Sequence, residues 1–372
     1  MSEKAKNEQS DHRDFTGVGW ASVPFHRGST GDEELDRRIS ELVADWKCGQ
    51  NASLIEEMII TALKLGHDEV GVGELKLLNR ALKEMRTAEN VFHPYQHRRK
   101  VSVYGSARTD PSAPEFKAAV EFGRKMSEKD YMVITGAGDG IMGAANLGAG
   151  RESSFGLSIN LPFETGANET IRDDLKLIDF NYFFTRKLSF VKEADAVALF
   201  PGGFGTMDEG FEQLTLIQTG KSTVVPLVAV DAPGGTYWKT WKQFLEEHLL
   251  RRGLISEEDF YLFKVTDDLD EAVEEILGFY RLFHSYRFVR GKMVIRLREA
   301  LSENALARLN EDFGGMLEKG RIEQTKALKE EADEPSLFSM PRLVCSPKRR
   351  GYGMYRKLID AINKAETKTA VK

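Results

Sequence analysis

The 372-residue chain has 41% hydrophobic and 30% charged residues and a formal net charge of −6, a composition ordinary for a globular protein. No apolar run reaches the roughly 20 residues that cross a bilayer, and the acidic balance disfavours non-specific binding to nucleic acid. Two distant cysteines, Cys48 and Cys345, exclude a disulfide framework or a paired-cysteine metal site and fit a reducing cytoplasm.

Residues 1–30 are charged, without a hydrophobic leader, and are expected to be a disordered tail. Residues 31–97 are expected to form a helical segment. Leu35, Ile39, Leu42 and Val43 recur at helical spacing, a second helix starts at an Asn-Ala-Ser cap signal and stops at Gly66, and a third carries Leu75, Leu78 and Leu82 on one face. Pro94 then interrupts the pattern between His93 and His97 and argues against a helical metal pair. From 98 to 284 short apolar strands alternate with amphipathic helices. KVSVYGSA, YMVITGAGDG, SFGLSINLP, LKLIDF, AVALFPGGFGT and STVVPLVAVD read as strands. That alternation predicts a Rossmann-like, doubly wound parallel sheet with helices on both faces. Residues 285–372 read as a small α+β appendage, with RFVRGKMVIRLRE as a strand, IEQTKALKEEAD and PRLVCS as further strands, and helices at SENALARLNEDF and YGMYRKLIDAINKA.

Ligands of such sheets lie at the carboxyl ends of strands, where Gly105 and two glycine-rich turns fall. In the first turn, Gly138, Gly140 and Gly143 match the dinucleotide-binding spacing, with Glu164 as a ribose acid. A tight, close-packed turn explains the same glycines without a dinucleotide. GKST at 220–223 runs from a helix into a strand, the reverse of a phosphate-binding loop, so Gly220 reads as a helix C-cap. HRRK at 97–100 and KRR at 348–350 read as solvated surface. The second turn, PGGFGTMDE at 201–209, follows a strand. Gly202, Gly203 and Gly205 permit φ > 0, and with Thr206 and the helix dipole they suit an anion. Glu209, one helical turn on, then borders the pocket without touching the anion. A nucleoside 5′-monophosphate has that shape, with its phosphate on C5′ and its glycosidic carbon across the ribose. Arg186 and Lys187, opening the preceding helix, can reach phosphate or ribose.

YGSAR at 104–108, GAGDGIMGAAN at 136–146, TRK at 185–187 and PGGFGTMDE at 201–209 resemble, in this order, the LOG (Lonely Guy) family. Its members are cytokinin riboside 5′-monophosphate phosphoribohydrolases, often mislabelled lysine decarboxylases. Longer bacterial members act on common nucleoside monophosphates. The resemblance covers roughly residues 98–280, and the family pattern P-G-G-x-G-T-x-x-E is fully matched. It implies hydrolysis of a nucleoside 5′-monophosphate to free base and ribose 5-phosphate, without metal or cofactor, in a homodimer or larger homo-oligomer. It implies Arg186 and Glu209 as the catalytic pair. Binding would fall to Gly105, Ser106, Gly136, Gly138, Asp139, Gly140, Met142, Lys187, Gly202, Gly203, Gly205 and Thr206. Ala137 and Asp139 depart from the Gly-Gly-Gly common in that loop, which bears on base identity. Asp139 is a candidate proton donor to the leaving base, with a simple turn residue as the alternative. The competing readings are a non-catalytic nucleotide-binding or signalling module on the same fold and an NAD-dependent oxidoreductase.

Overall fold

The computed structural model describes residues 28–161, 166–348 and 350–368. Most of the expected tail, and Glu164, lie outside them. The described residues fall into two compact units that part between Arg86 and Thr87.

The smaller unit holds α1 (Glu33–Asp45), α2 (Ala52–His67) and the first part of α3 (Val72–Phe92). The Asp32 carboxylate accepts from the amides of Glu34 and Leu35 and so caps α1. Ile39, Val43 and Ile60 are its buried apolar residues. Two expectations fail here. Asn51 stands before α2 but its side chain makes no cap bond, and Gly66 lies inside that helix rather than ending it. On α3, Leu78 is 44% and Leu82 53% exposed: helical spacing located the helix but not a covered face.

In the larger unit, the end of α3 leads into β1 (Lys100–Tyr104), α4 (Pro114–Glu128), β2 (Met132–Thr135), α5 (Ile141–Ala149), β3 (Ser154–Ile159), β4 (Leu177–Phe180), α6 (Phe183–Glu193), β5 (Ala196–Leu199), α7 (Phe204–Gln218), β6 (Leu227–Val230), α8 (Tyr237–Phe244), β7 (Lys264–Thr266) and α9 (Leu269–Phe279). The seven strands form one sheet in the order β4-β3-β2-β1-β5-β6-β7, with every neighbouring pair parallel. This is the expected Rossmann-like fold. β7 was not anticipated, because three residues carry no readable alternation.

Both sheet faces are apolar, as parallel strands under helices require. Val101, Val103, Val133, Ala196, Ala198 and Phe200 pack under α4, α5 and α9. On the other face, Met132, Ile134, Phe155 and Leu157 pack against Phe92 of α3 and Phe190 of α6.

The rest of that second face, Val197, Leu199, Leu227 and Ala229, is covered partly by the C-terminal region. This comprises β8 (Phe283–Val289), β9 (Lys292–Leu297), α10 (Glu303–Phe313), β10 (Leu317–Thr325), β11 (Arg342–Pro347) and α11 (Tyr352–Lys364). RFVRGKMVIRLRE is two strands, not one. Arg290 and Gly291, at φ 48° and 83°, turn the chain into a β8–β9 hairpin. The antiparallel sheet runs β10-β11-β9-β8. Tyr355, Leu358, Ile359 and Ile362 of α11 share one cluster with Val197 and Leu227. The Asn363 side chain accepts from the amides of Leu282 and Phe283 at 2.9 and 3.0 Å, and Tyr286 Oη accepts from Val224 N at 3.3 Å.

Because this core is shared, Leu358→Ala is expected to lower stability of the whole unit by about 2–5 kcal/mol. Urea unfolding followed by fluorescence and by far-UV circular dichroism checks it. The two signals of that unit are expected to shift together, whereas separate transitions would show an independent C-terminal domain.

Candidate functional site

The sheet order reverses between β1 and β5, so a crevice opens beyond their carboxyl ends. Phe200 N donates to Tyr104 O at 2.8 Å and Ser106 N to Pro201 O at 3.1 Å, which seats the loop after β1 on the loop after β5. The loop after β2 is seated on the same residue, since Ile141 N donates to Ser106 O at 3.0 Å. Gly140 makes this approach possible. It lies at φ 59°, and a Cβ there would stand 2.3 Å from Ser106 O. Gly105 is pressed in the same way against Ile141. The glycine spacing at 138–143 thus serves close packing. β2 is also one strand away from the reversal, where a dinucleotide fingerprint would be expected to lie.

A buried polar network fixes the β2 loop. Ala137, at φ 66°, donates its amide to Thr135 Oγ1 at 3.1 Å, and Thr135 Oγ1 donates to Asn146 Oδ1 at 2.7 Å. Asn168 Nδ2 donates to the carbonyls of Ala137 and Gly138 at 3.0 and 3.1 Å. Asn168 went unnoticed in the sequence because it lies in no local pattern.

In the loop after β5, none of Gly202, Gly203 and Gly205 has positive φ, so the expectation of left-handed backbone fails. Gly202 is needed for contact instead: a Cβ would stand 2.1 Å from Thr206 Oγ1 and 3.0 Å from Ser106 N. Cβ positions at Gly203 and Gly205 face open space. Gly203 is the N-cap of the 15-residue α7 and supplies no side-chain cap. The first-turn amides, at the positive end of the helix dipole, are thereby left to an anion. The loop is braced from outside by Tyr237, whose hydroxyl donates to Gly202 O at 2.5 Å.

α6 begins at Phe183, so Arg186 and Lys187 sit one turn in rather than at its start. Arg186 Nε donates to Leu157 O at 2.8 Å, and its guanidinium lies 5.4 Å from the Phe190 ring centre. A Cβ on Gly136 would stand 2.3 Å from Arg186 Nη2 and 2.7 Å from Met142 Sδ, so the β2 loop reaches this arginine as well. Lys187 Nζ lies 2.7 Å from Asp208 Oδ2, 3.6 Å from Glu209 Oε2 and 2.9 Å from Glu212 Oε2. Lys187 therefore stands among the carboxylates of α7. Asp139 is exposed at its loop.

Of the three α7 acids, Glu209 is the buried one, with a side chain 11% exposed against 62% for Asp208 and 34% for Glu212. Burial pushes its carboxyl above the usual glutamate range, against the pull of Lys187 and Arg186, while Glu212 and Asp208 add to the rise. The Tyr104 phenol, at the end of β1, is raised well above its ordinary value by burial and then by the Glu209 charge. Burial works against the Lys187 charge, but hydrogen bonds with Asp208 and Glu212 and the Glu209 and Glu212 charges outweigh it and hold the ammonium above the usual lysine value. Among the described residues no group of three or more His, Cys, Asp or Glu side chains could hold a metal ion, and no helix is long and apolar enough to cross a membrane.

The family model described as "Possible lysine decarboxylase" matches residues 142–276. That span takes in Arg186, Lys187 and the whole loop after β5, and over it the LOG resemblance holds. No curated protein matches. Among solved structures the chain is similar to the protein designated TM1055 (23% identity, covering 48% of this chain and 98% of that one, TM-score 0.36). It is also similar to a molybdenum cofactor binding protein from the phototrophic bacterium Rippkaea orientalis (17%, 48% and 94%, 0.35) and to DNA processing protein A from Helicobacter pylori (14%, 48% and 80%, 0.34).

A raised carboxyl pKa means that ionised Glu209 opposes folding at neutral pH. The opposition is absent below the ordinary glutamate pKa and complete above the raised one. Glu209→Gln is therefore expected to melt at least as high as the wild type at pH 7, with the gain vanishing on acidification. A lower melting temperature at pH 7 would contradict it.

Proposed function

We propose that the chain hydrolyses the N-glycosidic bond of nucleoside 5′-monophosphates, of the AMP or cytokinin riboside monophosphate type, releasing free base and ribose 5-phosphate. The observation that carries this reading is the pairing on one helix of an uncapped N-terminus and, about a turn further on, a buried carboxylate, Glu209. An anion on the first-turn amides of α7 fixes one end of the substrate. One helical turn rises about 5.4 Å, a spacing on the scale of a ribose ring.

Breaking the C1′–N bond builds positive charge on the ribose, and a fixed carboxylate stabilises that charge. Water adds to C1′ with Glu209 accepting one of its protons, the C1′–N bond breaks, and the base leaves with a proton from solvent as Glu209 returns its own to solvent. Arg186, held by Leu157 O and the Phe190 ring, orients phosphate and ribose so that C1′ meets the carboxylate. An arginine close enough to act on a buried carboxylate suits a substrate with a phosphate and a cationic transition state. A decarboxylase using pyridoxal phosphate needs a neutral lysine amine, and the charge-stabilised Lys187 is poorly suited to that. The protein is proposed to act as a homodimer or larger homo-oligomer in the cytoplasm.

The test is chromatographic detection of free base from AMP, GMP, CMP, UMP, IMP and isopentenyladenosine monophosphate. Glu209→Gln is expected to lower kcat by about a hundredfold or more while monophosphate binding changes little. Unchanged turnover in that variant overturns the assignment of Glu209. Tight binding without any turnover in the wild type would instead identify a non-catalytic nucleotide-binding module.

A further inference from the structure

We infer that Lys187 is not a phosphate contact but a positioning residue, whose ammonium, pinned by Asp208 and Glu212, supports the Glu209 carboxylate from α6. The inference rests on the hydrolase reading for its kinetic consequence, and on the geometry alone for its electrostatic one.

Adjacent residues on a helix point about 100° apart, so Arg186 and Lys187 cannot serve one oxygen cluster in the same way. The structure separates them. Arg186 turns toward β3, where it donates to Leu157 O, and toward Gly136 of the β2 loop. Lys187 turns toward α7, where Asp208 and Glu212 hold its ammonium at 2.7 and 2.9 Å. Its side chain is only 13% exposed. Two of its acid partners are more exposed than Glu209 and so carry less desolvation penalty. They fix the ammonium in place, 3.6 Å from Glu209 Oε2. That separation exceeds a normal hydrogen bond. Lys187 thus acts on Glu209 through its field, leaving the carboxylate oxygens for water and substrate.

The charged and titratable groups facing Glu209 are Arg186 and Lys187 from α6, Asp208 and Glu212 from α7 and Tyr104 from β1. Without Lys187 three carboxylates would face Arg186 alone. Burial already favours the protonated acid, so the loss of one cation would be felt in the acid limb of the rate profile.

The experiment compares wild type, Lys187→Met and Lys187→Arg, with folding checked by thermal melting. With AMP as substrate, Lys187→Met is expected to move the acid limb of kcat upward by about one pH unit or more. Its kcat should recover toward the wild-type value as the pH rises, and KM should stay within about threefold. Lys187→Arg is expected to restore the wild-type profile. A KM raised by about tenfold or more with an unmoved pH profile would make Lys187 a phosphate contact and overturn the inference. A second readout needs no turnover: the carboxyl ¹³C resonance of Glu209, assigned by its loss in Glu209→Gln, titrated in wild type and Lys187→Met. A higher midpoint in Lys187→Met supports the inference, and an unmoved midpoint overturns it. If the wild type releases no base, the hydrolase reading fails, and the ¹³C titration still decides the role of Lys187.

Discussion

The constraint on which the rest depends is the junction between β1 and β5. These strands are neighbours in the sheet, yet the chain leaves β1 toward one edge and β5 toward the other. Their loops must separate, and the space between them is where a ligand can meet backbone amides. Two hydrogen bonds hold the junction at its tip, from Phe200 to Tyr104 and from Ser106 to Pro201. Once these are made, the β2 loop has one place to rest, on Ser106, and glycine at 140 is the residue that fits there. The wall of the crevice is therefore built of mutually seated backbone, so little ordering entropy remains to be lost on ligand binding.

The carboxylates that follow the glycine turn are explained by charge geometry rather than helix propensity. Acids favour a helix N-terminus only within the first turn, and α7 has no acid there. Asp208, Glu209 and Glu212 lie beyond it and converge on Lys187. The uncapped amides of α7 and its carboxylates are thus separated along the helix, and the acids have a cation, Lys187, beside them. The chain can place an uncapped helix N-terminus and three carboxylates close together because Lys187 supplies the acids with a counter-charge.

The parallel sheet was legible because alternation of apolar strands and amphipathic helices is a local pattern repeated several times. The loop after β5 was legible because its glycines, Thr206 and Glu209 fall in one short stretch. What the sequence hid was non-local. Asn168 reaches the β2 loop from a segment without periodicity, and Tyr237 braces Gly202 from the next helix. The turn at Arg290 and Gly291 escapes a sequence reading because a two-residue connection leaves the two short strands looking like one stretch. Adjacency also misled: Arg186 and Lys187 are consecutive in the chain but point in different directions, and only the contacts between α6 and α7 show that Lys187 is the one ion-paired with the acids.

The shared core also orders events during synthesis. The layer under α4, α5 and α9 draws its residues from Val101 to Ile276 and can close once those have emerged from the ribosome. The layer over Val197 and Leu227 waits for Tyr355, Leu358 and Ile362, which are made well after Ile276. Until they arrive, one face of β5 and β6 has only the part of its cover that Ile217, Trp238 and Trp241 supply. A nascent chain stalled short of α11 therefore carries the finished loop after β5 on a sheet that is still half dressed, open to chaperones and to aggregation.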